Sequence, residues 1–134
     1  MRVMVIVKAT KESEQGSLPD PQLLEEMGKF NEELVKAGVL LAAEGLYPSA
    51  LGKRMRFCDS KRIVIDGPFE PTRELVSGYW LWQVTSIDEA VEWLKRCPYP
   101  SVDETEMEIR PVMEMTSRER ASFQGFTSQS EFAG

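Results

Sequence analysis

Two stretches of this chain are apolar on both faces of an extended strand. In Arg2 to Lys8, Val3, Val5 and Val7 point one way and Met4 and Ile6 the other. In Gly78 to Val84, Tyr79 and Leu81 share one face, while Trp80, Trp82 and Val84 share the other. Side chains alternate across a strand with period two. Each of these strands therefore needs cover on both sides, which limits the folds open to the chain.

The remaining segments say what one layer of that cover is. Asp20 caps a helix that has Pro21 in its first turn, and Leu23, Met27, Phe30 and Leu34 recur at helical spacing with Leu24 and Val35 beside them. Gly38 ends it. Val39 to Leu46 is the next strand. Lys53 to Cys58 and Arg62 to Ile65 flank "DSK" as a hairpin. Ser86 and Glu89 have the spacing of a capping box, and Ile87, Ala90, Val91 and Leu94 form the apolar stripe of a second helix stopped by Pro98. A last strand runs from about Glu106 to Pro111. With the hairpin set aside, the order is βαββαβ, the ferredoxin-like pattern of an α+β domain.

In that pattern both helices cover one face of an antiparallel sheet, and the other face stays bare. An exposed apolar sheet associates. A second copy packed sheet on sheet, with two-fold symmetry, covers it economically. A homodimeric α+β barrel is the expected assembly. The chain has 134 residues, one domain's worth. Residues 1–113 form that domain, and residues 114–134 are a polar tail, or an arm that docks Phe123, Phe126 and Phe132 on a neighbour.

Composition removes several kinds of chemistry. The chain contains no histidine, so Ser-His-Asp and Cys-His catalysis and histidine metal ligation are excluded. Net charge is −6 and the basic residues fall in short interrupted runs, so no nucleic-acid partner is expected. No apolar run nears the ~20 residues that cross a bilayer, and the amino terminus reads as a strand, not a signal peptide. Cys58 and Cys97 are far apart and read as free thiols in a reducing cytoplasm. With no P-loop, no GxGxxG and no dense acidic ligand spacing, neither a metal nor another cofactor is expected.

Chemistry then rests on carboxylates and guanidinium groups. Glu44 falls on the same face as Leu40, Ala42 and Leu46 of its strand. Burial there would raise its pKa and suit it to general acid/base work; at a strand end it is a solvated or paired carboxylate. Asp66 opens Asp66-Gly67-Pro68-Phe69, a rigid strand-ending turn. It is either a turn residue or a catalytic carboxylate held beside an apolar wall, Phe69. Arg54 and Arg56 share a strand face, as charged guards of an edge or as a clamp for an anionic substrate. Trp80 belongs to the core or lines a cavity enclosed by the dimer.

"NEELVKAGVLLAAEGLYPS", "VIDGPFEPTREL", "SGYWLWQVTSIDEAVEWLKRCP" and "EIRPV" resemble the YCII-related family, specifically its branch carrying the DGPF motif. The resemblance runs from Arg2 to Val112. It implies a ferredoxin-like dimeric barrel. Related YCII-like proteins have a proposed His-Asp site, and one branch removes chloride from a chlorinated hydroxyquinol. Without histidine only the Asp role carries over, and it falls on Asp66. DGPF relatives are often encoded near, or fused to, extracytoplasmic-function sigma factors, which implies a regulatory link. Two functions follow: a small-molecule-binding dimer with acid/base lyase or isomerase activity, or a non-catalytic ligand-sensing or protein-interaction module.

Overall fold

The alternating apolar strands pair at the centre of the molecule. In the computed structural model, which describes residues 1–98 and 104–125, β1 (Arg2–Lys8) runs antiparallel to β5 (Val76–Gln83), with Val5 opposite Trp80 and Ile6 opposite Tyr79. β2 (Leu40–Gly45) joins the free side of β5, and β6 (Met107–Pro111) the free side of β1. The sheet order is β2-β5-β1-β6 and every pairing is antiparallel. The fold is α+β and consistent with a ferredoxin-like domain. β3 (Lys53–Cys58) and β4 (Lys61–Asp66) form a separate two-stranded ribbon.

The helices cover one face of the four-stranded sheet. Asp20 accepts a hydrogen bond from Leu23 N, 2.9 Å away, and starts α2 (Pro21–Lys36). Its Phe30 and Leu34 pack on Val3, Val5, Trp80 and Trp82, together with Ala90 of α3 (Ile87–Lys95). The Phe30 ring meets Trp80 and Trp82 edge-on, at centroid distances of 5.9 and 6.4 Å. Trp80 Nε1 donates to Asn31 Oδ1 at 2.9 Å, whereas buried Trp82 Nε1 has no partner among the described residues. Leu34 is fully buried in this cluster, and truncating such a residue to Ala typically costs about 2–5 kcal/mol.

Several expectations shift in detail. Leu24 and Val35 flank the α2 stripe but are exposed, because the sheet admits only a narrow face of the helix. In α3 the indole of Trp93 packs on the core, while Ile87 and Val91 are exposed. Ser86 caps α3 by accepting from Glu89 N, but the Glu89 carboxylate reaches back to Thr85 N and Oγ1, one residue before the cap. The polar loop after β1 contains α1 (Lys11–Glu14), capped by Thr10, and the tail contains α4 (Ser117–Phe123), capped by Thr116. Phe123 is exposed; Phe126 and Phe132 lie outside the described residues.

The largest change is in β2. Leu40 pairs with Trp82 but Ala42 pairs with Leu81, so Leu41 is an extra residue in the strand. Such a bulge reverses the faces of what precedes it. Leu40 therefore packs on the core, and Glu44, opposite Tyr79, lies on the other face with Ala42. That second face carries Met4, Ile6, Tyr79, Leu81 and Ala42, all partly buried. It is flanked on one side by exposed Glu44 and on the other by Glu108 and Arg110, which are paired at 3.1 Å. No helix among the described residues is long and apolar enough to cross a membrane.

Candidate functional site

The Asp66-Gly67-Pro68-Phe69 turn sits where the ribbon joins the rest of the molecule. Gly67 N donates to Gly52 O at 3.0 Å. The approach is close: a Cβ on Gly67 would fall 1.8 Å from the Ser49 carbonyl oxygen. Only glycine fits there. The peptide bonds before Pro68 and Pro71 are both cis.

Ser49 organises the turn. It opens a short 3-10 turn, Ser49–Leu51, after Pro48. Its Oγ accepts from Phe69 N at 3.0 Å and donates to Glu14 Oε1, while its N donates to Glu14 Oε2 at 2.9 Å. Glu14 closes α1, whose Thr10 and Ser13 form a full capping box. Three distant segments are thus tied through one hydroxyl. The Arg54 guanidinium lies 4.0 Å from the Phe69 ring centroid, a cation–π contact.

An open cleft of about 470 Å³ lies between these segments, lined by Lys11, Glu14, Gln15, Phe69 and Thr72 among others. It presents one aromatic wall, one ammonium group and carboxylates. Such a cleft can hold a small polar molecule with an apolar part. It contains no nucleophile–base pair. Among the described residues no three His, Cys, Asp or Glu side chains group closely enough to hold a metal ion.

Of the residues singled out in the sequence, Arg54 and Phe69 are in contact here. Asp66 is next to them in the chain, but its carboxylate pairs with Lys53 and is 74% exposed. Arg56, opposite Ile63 on the ribbon, is exposed. Glu44 belongs to the four-stranded sheet, and Trp80 to the core on the face away from Glu44. The structure therefore places the two carboxylates on different sheets. Glu14 and Ser49 were not signalled by any motif. The Thr10–Ser13 box in "ATKES" announces a helix start, but not that its last residue reaches Ser49, 35 positions on.

An uncharacterized protein of Rhizobium meliloti (strain 1021) is 27% identical to this chain over 93 residues, which span 69% of this chain and 75% of that protein. The YCII-related domain matches residues 1–116, which take in the whole sheet, the ribbon and the Ser49–Phe69 turn. The chain therefore belongs to the YCII-related family.

Proposed function

We propose that this protein is a homodimeric small-molecule-binding member of the DGPF-motif branch, working in the cytoplasm. The observation that carries this reading is the sheet face opposite the helices, with Met4, Ile6, Tyr79 and Leu81 in one patch. Patches of this kind mark association surfaces, and a two-fold copy packed on it would complete a dimeric α+β barrel. The residues up to 113 make the barrel unit and those beyond it an appendage. The ligand would sit by the DGPF turn, between Phe69, Arg54 and Lys11, with Arg56 along the approach.

A second reading is acid/base catalysis of a lyase or isomerase type. It is favoured by the place of Glu44 beside Tyr79, at the margin of the face a partner would cover. A partner packed there would take this carboxylate out of water. Asp66, already engaged by Lys53, suits this role less. Without such chemistry the same dimer acts as a ligand sensor, which fits the sigma-factor association that DGPF relatives imply.

The test is the solution mass by light scattering, with Leu81→Asp as the comparison. A wild-type species at twice the chain mass of 15.2 kDa, reduced to the single-chain mass in Leu81→Asp, is the expected outcome. A wild type that stays at 15.2 kDa at every concentration would remove the reading.

A further inference from the structure

The β3–β4 ribbon is built like an arm without a body to rest on. All six residues of β3 are exposed, and in β4 only Ile65 is partly covered. Lys53–Asp66, Met55–Val64 and Phe57–Arg62 lie opposite each other in register. With period-two alternation these pairs share one face, so Met55, Val64 and Phe57 form an apolar stripe there. Their exposures are 47%, 55% and 71%. A two-stranded hairpin alone in water is marginally stable at best. A ribbon of about 20 Å with an aromatic near its tip therefore calls for a surface to lie on.

Charge says what kind of surface. Between Lys53 and Asp66 five Lys and Arg side chains meet two Asp, giving the ribbon +3 on a chain of net charge −6; the other 120 residues carry −9. A basic arm and an acidic body on one chain are complementary between copies. The arm is also held in place at its root. The Lys53–Asp66 pair, the Arg54–Phe69 stack and the close approach of Gly67 to Ser49 fix its exit from the domain. Little ordering then remains to oppose docking.

We propose that the β3–β4 ribbon lies on the acidic surface of a second copy of this chain, with Met55, Phe57 and Val64 against it. The proposal rests on the dimer reading above and adds the element that clasps it. A two-stranded ribbon also fits the major groove of DNA. An acidic body repels phosphate, however, and a Met-Phe-Val stripe is matched to protein, so the second copy is the occupant the residues favour.

The test uses the full chain and two readouts. Met55→Glu/Phe57→Ser should weaken the dimer by about tenfold or more in sedimentation equilibrium, with the far-UV CD spectrum unchanged. In the unaltered protein, amide exchange in residues 53–66 should slow as concentration is raised through the dimer constant. Raised salt should weaken the dimer. If the variant dimerises like the wild type and ribbon exchange ignores concentration, the arm is refuted while the sheet-face dimer survives. A wild type that is monomeric throughout refutes both. Protection of the ribbon only when a DNA duplex is added would also refute the proposal, in favour of nucleic acid.

Discussion

Asp66 faces Lys53 across the root of the ribbon, and their side chains form an ion pair with both partners largely exposed, at 74% and 68%. The carboxylate that the turn motif displays is thus committed to holding two strands in register. Exposed pairs of this kind contribute about 0.2–1 kcal/mol. Asp66→Asn and Lys53→Met should each change unfolding stability by less than about 1 kcal/mol, with a coupling in that range from a double-mutant cycle. Urea titration of the four proteins measures it. A coupling above about 2 kcal/mol would mean the pair is desolvated, as at a site.

Two glycines beside the Ser49 carbonyl, Gly67 of the Asp66–Phe69 turn and Gly52 after the Ser49–Leu51 turn, should behave differently. A Cβ on Gly67 would meet the Ser49 carbonyl at 1.8 Å, whereas one on Gly52 would stand 3.4 Å from it. Gly67→Ala must therefore move backbone, and a loss of more than about 2 kcal/mol is expected. Gly52→Ala should cost well under 1 kcal/mol, roughly the scale of a benign surface change. Thermal unfolding of the pair decides it, and equal losses would contradict the geometry.

The same turn shows how far the residues could be read from the chain alone. Alternation identified β1 and β5, and helical spacing identified α2, because those signals are local and the core enforces them. The bulge at Leu41 left no mark, since Leu40, Leu41 and Ala42 are all apolar and either face reads as plausible. It moved Glu44 off Leu40's face. Phe69 and Arg54 each stand out in the sequence, one by motif and one by charge, but their stacking does not. The Glu14–Ser49 link was invisible for the same reason: contacts between remote segments follow from topology, not from spacing.

The ribbon's turn carries removable strain. Asp59 and Ser60 join β3 to β4 with φ of 49° and 63°. A two-residue connection with both angles positive prefers Asn-Gly or Asp-Gly, and a β-carbon at such angles is unfavourable. Ser60→Gly should stabilise the ribbon by about 0.5–1 kcal/mol, visible as slower amide exchange in residues 53–66. Faster exchange would show that the serine makes a contact the glycine loses.

Glu89 predicts a pH dependence. Hydrogen bonds from Thr85 N and then Thr85 Oγ1 hold its carboxyl below the usual value, with Trp93 Nε1 adding to them and slight burial opposing. A carboxylate whose pKa is lower folded than unfolded stabilises the fold fully above the unfolded value, about 4.3 for Glu. That contribution is lost as pH falls through the folded value. Glu89→Gln should therefore lower the melting temperature at pH 7, and the gap to wild type should narrow below about pH 4. A gap independent of pH would assign the effect to packing on Trp93 instead.

The two thiols should separate by reactivity. Cys97 is partly buried, with Sγ 3.3 Å from Pro98 O and 4.0 Å from Met27 Sδ, and burial pushes its thiol up to about 11. Cys58 is exposed near the ribbon tip. The thiolate is the nucleophile. Near pH 7.5 a thiol at about 11 is ionised to well under one part in a thousand. Iodoacetamide should modify Cys58 first, with Cys97 slower by about a hundredfold or more, until denaturant exposes it. Peptide mass spectrometry reads both rates. Cys58 lies on the ribbon face away from Met55 and Phe57, so it should stay reactive as protein concentration rises, while Cys97 stays slow throughout. Rapid modification of native Cys97 would mean that α3 opens readily at its carboxyl end, and the packing of Met27 on that thiol would have to be given up.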